Sequence, residues 1–146
     1  MKTTLFALAL AFVSSAALAQ ATPAGLWKTI DDNTKKERSL IRISEAAGVY
    51  TGRIEKTLDP DTSKQGAVCD KCTDERKDKP LIGMAIIRNI KQSADDSAIF
   101  DGGDIVDPDN GKTSKLRLTP KDGGKTLEVR GFIGPFYRNQ QWIRVE

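Results

Sequence analysis

Short alternating runs of apolar and polar residues, punctuated by turn chemistry, are what most constrain the fold of this chain. In Ser39–Ser44, Leu40 and Arg42 share one face and Ile41 and Ile43 the other. In Val49–Lys56, Tyr50, Gly52 and Ile54 alternate with Thr51, Arg53 and Glu55. A two-residue period belongs to half-buried β-strands, because successive side chains leave a strand on opposite faces. Lys115–Thr119 and Thr126–Ile133 repeat the pattern, Gly25–Ile30 opens the series and Gln140–Val145 closes it. Leu81–Arg88 is nearly continuously apolar and reads as a strand buried on both sides, while Gly102-Gly103 marks Ala98–Val106 as bent or bulged. The separators are Asp32-Asn33, Ala47-Gly48, Asp59-Pro60-Asp61, Asp107–Gly111 and Asp122-Gly123-Gly124. About eight strands result, with little helix and no internal repeat. The irregular sequence gathers in one long connection, residues 58–80, which holds both cysteines.

Residues 1–19 stand apart. Met1-Lys2 is a positive start, Leu5–Val13 an unbroken apolar run, and Ala17-Leu18-Ala19 a small-x-small cleavage pattern. Together they read as a secretory signal peptide cut after Ala19, since nine apolar residues are too few for a bilayer span of roughly 20. No cysteine at the cut offers a lipid attachment point. The expected product is a single soluble domain, residues 20–146, in the periplasm or secreted. Its apolar fraction falls below the 38% of the whole sequence, which by composition alone could mean disorder. The even spacing of the apolar runs argues instead for thin strands with one buried face.

Eight antiparallel strands can close into an up-and-down barrel, whose interior either fills with side chains or holds one small ligand. A β-sandwich is the competing architecture. Gly25-Leu26-Trp27 in the first strand and Trp142-Ile143-Arg144 in the last resemble the lipocalin and avidin-like barrels. The resemblance implies that Trp27 packs at the closed end under a late arginine, which gives Trp27, Trp142 and Arg144 structural roles. Further motifs cover nearly the whole chain: G-x-W-x-T-x-D-D at Gly25–Asp32, G-x-Y-x-G-x-I at Gly48–Ile54 and K-P-L-I-G-M at Lys79–Met84. D-G-G-x-I-x-D-P-x-N-G-K follows at Asp101–Lys112, L-x-V-R-G-F-I-G at Leu127–Gly134 and W-x-R-V at Trp142–Val145. This series resembles the DUF2147 family of small secreted bacterial proteins, and departs from its pattern at Ser114, where an aromatic residue is common. The resemblance implies a lipocalin-like barrel of Gram-negative origin and brings no established activity.

The sequence contains no histidine, which removes Ser-His-Asp triads, Cys-His pairs and His-based metal centres. G-x-S-x-G, Walker and dinucleotide motifs are also missing, so no enzyme and no cofactor are expected. Cys69-Asp70-Lys71-Cys72 can be a disulfide, a redox dithiol or half of a metal site. An oxidising compartment and the lack of a βαβ context favour a structural disulfide. Asp107–Gly111 resembles part of a calcium loop, but the twelfth position is Leu118 rather than Glu, and Asn110-Gly111 favours a hairpin turn. Lysines and arginines are interspersed with acids, and a formal net charge of +3 gives no nucleic-acid footprint. Arg130 and Arg144, each set in an alternating strand, can snorkel, be buried and paired, or meet a ligand anion, and pairing is the expected outcome.

Gly134-Pro135 breaks the alternation and is expected to present Phe136 or Tyr137 at a barrel mouth. The candidate ligand-binding residues are Phe136, Tyr137, Tyr50 and Arg130, and the expected partner is a small amphipathic or apolar molecule. Two alternatives remain at this level. One is an envelope interaction module that uses the 58–80 loop; the other is a thiol-redox role for Cys69 and Cys72.

Overall fold

The structure is a computed structural model and describes residues 21–59 and 67–146; the expected signal segment and the centre of the long connection lie outside them. Eight strands form one closed antiparallel barrel in chain order: β1 (Gly25–Ile30), β2 (Glu37–Ala46), β3 (Val49–Thr57), β4 (Ala85–Gln92), β5 (Phe100–Asp107), β6 (Lys112–Lys121), β7 (Thr126–Ile133) and β8 (Phe136–Arg144). Among the described residues a 3₁₀ turn at Asp122–Gly124 is the sole helical element. The up-and-down barrel is therefore the architecture, and the sandwich alternative falls.

The inner wall follows the two-residue period. Trp27, Ile41 and Ile43, Tyr50 and Ile54, Leu116 and Leu118, Leu127 and Val129, and Trp142 all belong to one buried cluster. Register shifts adjust the pattern at several strand pairs. Asn89, at φ 61°, lets both Ile87 and Ile90 turn inward, and the register shift at Phe100–Gly103 is the bend foreseen from the paired glycines. The fourth strand begins at Ala85 rather than Leu81. Leu81–Met84 form a turn instead, and the expected burial on both sides holds only at Ile86 and Ile87, since Arg88 and Asn89 are not buried. Gly134-Pro135 is a two-residue turn, so Phe136 already belongs to the last strand.

The antiparallel order gives the barrel two distinct ends. At one lie the chain segment before β1, the β2–β3 hairpin and the Asp122–Gly124 turn. At the other lie the β1–β2 loop, the β3–β4 connection and the β5–β6 and β7–β8 turns. Closure is uneven. β2 pairs with β3 at eight positions, whereas β1 meets β8 only at Trp27↔Arg144 and Lys28↔Ile143.

The described part of the long connection folds onto the outer wall. Cys69 and Cys72 form a disulfide and are buried in the same cluster as Ile86 and Val106, which alternation turns away from the inward Ile87 and Ile105. Arg76 anchors the segment, donating from Nη1 to the Ala85 carbonyl (2.8 Å) and from Nε to both oxygens of Asp74 (3.1 Å each). That guanidinium holds the Asp74 carboxyl down at about 2. Gly111, at φ +73°, allows the β5–β6 turn to approach so closely that a Cβ there would overlap the Lys71 carbonyl.

Candidate binding site at the open end

The closed end is sealed by Trp27 and Arg144. The indole Nε1 of Trp27 donates to the Pro23 carbonyl at 2.8 Å, and the Arg144 guanidinium carbon lies 4.3 Å from the ring centroid. Arg144 donates to the carbonyls of Ala24 (2.8 Å), Thr22 (3.0 Å) and Gly124. Partial burial pushes its pKa down from the free arginine value. Above this plug, Tyr50 and Phe100 meet edge to face, with centroids 5.2 Å apart.

Toward the other end the interior changes chemistry. Thr29 and Ser39 share a hydroxyl hydrogen bond of 2.9 Å, and Thr57, which is paired in register with Ser39, has a buried Oγ1 with no partner. On β8 the inward positions run Trp142, Gln140, Arg138 and Phe136. Trp142 Nε1 donates to Gln140 Oε1 (3.1 Å), and Gln140 Nε2 donates to Asp32 Oδ2 (3.3 Å). Arg138 Nε donates to the same oxygen at 2.8 Å. A polar chain thus climbs from the core tryptophan to a rim ion pair. Beside it, Phe136 and its register partner Ile133 are 74% and 64% exposed. Arg38 on β2 pairs with Asp109 in the β5–β6 turn and lies 3.8 Å from Asp31, tying opposite sides of this end together.

The four residues expected to bind ligand do not come together. Phe136 alone stands on the inner face at the open rim. Tyr50 belongs to the buried core toward the opposite end. Tyr137 and Arg130 lie on the outer wall, since alternation turns each away from Phe136 and Val129. There Arg130 stacks on the Tyr137 ring at 4.4 Å and donates to Asn139 Oδ1 (2.8 Å), the paired state expected for it. Three rim residues went unnoticed in the sequence: Asp32, Arg138 and Gln140. The spacing of Phe136, Arg138, Gln140 and Trp142, two residues apart, carried the signal.

Cys69 and Cys72 are at disulfide distance, with Cα atoms 5.4 Å apart, and both are buried. The Asp107 carboxylate accepts from the Asp109 backbone N–H (2.9 Å) and from Asn110 Nδ2 (3.3 Å), so it closes its own hairpin turn. Among the described residues no three His, Cys, Asp or Glu side chains converge as metal ligands, and no helix is long and apolar enough to cross a membrane.

A closed eight-stranded barrel with Trp27 and Arg144 packed at one end and a polar cluster beside exposed Ile133 and Phe136 at the other is a lipocalin-like barrel. The chain belongs to the family described as "uncharacterized protein conserved in bacteria (DUF2147)", which matches residues 25–144. Its fold is similar to that of protein HP1028 from the human pathogen Helicobacter pylori, which belongs to the lipocalin family. The TM-score is 0.73 at 15% identity, over 87% of this chain and 85% of that one. No curated protein matches this sequence.

Proposed function

We propose that this DUF2147 barrel is an exported, non-enzymatic carrier that holds a small amphipathic molecule at its open end. The observation that carries the reading is the juxtaposition of exposed Ile133 and Phe136 with the Arg138–Asp32–Gln140 cluster on one inner face. The apolar pair offers surface to a hydrocarbon body, and the cluster offers both a donor and an acceptor to its polar head. The unpartnered Thr57 hydroxyl, buried lower in the same half, supplies a further polar contact. Because the lower half is filled by Trp27, Phe100, Leu118 and Ile87, the guest is short and sits near the rim. The lipocalin-like fold supports a small-molecule guest of this kind.

The test is to incubate purified protein with a bacterial lipid extract and identify what co-purifies by native mass spectrometry. A recurrent small amphiphile is expected with the native chain and lost in F136S and R138Q. Recovery of empty protein under all conditions would sink the reading.

A further inference from the structure

We propose a second binding site, outside the barrel, in the cleft between the disulfide-held segment and β3–β4, for a small organic anion with an apolar body. The cleft has a volume of about 350 Å³. Its apolar surface comes from Pro80, Met84 and Ile82, the last 41% exposed on a turn where a packing role would hide it. Four cationic side chains border it, and they divide sharply by how their charge is met. Arg76 and Arg88 are neutralised by Asp74 and Glu75. Arg53 donates to the Gly83 carbonyl at 3.0 Å, which satisfies an N–H, and meets no carboxylate among the described residues. Lys79 has no ion-pair partner among the described residues. Two positive charges with no carboxylate partner among the described residues therefore flank an apolar floor, an arrangement matched by an anionic head on a hydrocarbon body.

The cleft is also built before any guest arrives. Cys69 N–H donates to the Lys79 carbonyl (2.9 Å) and Leu81 N–H to the Ala67 carbonyl (3.0 Å), so the disulfide segment fixes the Lys79 wall. Gly83 N–H donates to the Ile54 carbonyl (2.7 Å) and Ile54 N–H to the Met84 carbonyl (3.1 Å), which fixes the floor against β3. A guest meets walls that need no ordering. The Lys79–Met84 run thereby gains a role that barrel closure does not give it.

The experiment is a ¹H–¹⁵N NMR titration of the native chain, and of F136S to disable the mouth, with four probes: octanoate, octyl phosphate, 1-octanol and acetate. Saturable shifts at Arg53 and Lys79–Ala85 are expected with octanoate or octyl phosphate, in both proteins. The relative strength of the two distinguishes a carboxylate from a phosphate head. Octanol and acetate should each lack one half of the ligand and fail to saturate. The exposed double variant R53Q/K79Q, with its fold checked by the same spectra, should weaken binding about tenfold, as expected for two exposed charge contacts. Equal binding of octanol, shifts only around Ile133 and Phe136, unchanged affinity in R53Q/K79Q, or no saturable shift with either anion would each overturn the proposal. Loss of lipid capture at the mouth leaves these readouts untouched, so the two sites fail separately.

Discussion

The guanidinium carbon of Arg144 stands 4.3 Å from the centroid of the Trp27 ring while its N–H groups reach carbonyls of Thr22, Ala24 and Gly124. One side chain from the last strand thus ties the chain before β1 and the β6–β7 turn to the core. R144A should lower stability by about 2–4 kcal/mol, from the lost charged hydrogen bonds and the cation–π contact. R144K keeps the charge but cannot reach the carbonyls as a fork, so most of the loss should remain. Urea unfolding followed by tryptophan fluorescence checks both.

Leu118 is fully buried and points into the barrel. L118A should cost about 2–5 kcal/mol through lost burial and the cavity left behind. I133A, at the exposed rim, should stay within about 0.5 kcal/mol. Similar losses for the two would contradict the division into a buried core and an exposed rim.

The disulfide closes a very short loop, so its removal should cost toward the low end of the 0–5 kcal/mol range in global stability. The local effect is expected to be larger. In C69S/C72S, the amides of Cys69 (then serine), Asp78 and Leu81 should lose hydrogen-exchange protection far more than those of β6 and β7. G111A keeps the disulfide but sets a methyl group against the Lys71 carbonyl at a left-handed position, and should loosen the same segment. Since both cysteines are buried, the native disulfide should resist mild reductant; rapid reduction would favour the thiol-redox reading.

Asp74 links the outer segment to acid stability. Its carboxyl sits at about 2 in the folded chain against 3.8 when free, chiefly through hydrogen bonding to Arg76. A carboxyl lowered on folding leaves the unfolded state binding more protons, so its contribution is complete above about pH 4 and disappears as pH falls through 2. Thermal melts between pH 5 and pH 2 should decline less steeply in D74N, which should already be less stable than the native chain at pH 7. Parallel curves for the two proteins would remove Asp74 from the acid transition.

The barrel was legible in the sequence where burial follows alternation. Tyr50, Gly52 and Ile54 share an inner face as their spacing predicts, and the Trp27 and Arg144 motifs find each other at the closed end. Leu81–Met84 misled because apolar residues there serve a turn that seats the outer segment, a tertiary use that leaves no period. The mouth was harder to see. Its inward residues Asp32, Arg138 and Gln140 are polar, and a search for hydrophobic faces passes over them. Tyr137 and Arg130 attracted notice as single residues, although strand parity already placed them opposite Phe136.

Toward the closed end Leu26 exchanges backbone hydrogen bonds with Val145 and Glu146, but beyond Lys28 the join of β1 to β8 passes to side chains, with Asp32 reaching Arg138 and Gln140. The perimeter of the mouth is consequently not set by strand count alone. At that one line it is latched rather than woven, so it can widen by breaking a few side-chain bonds while every other strand pair stays intact.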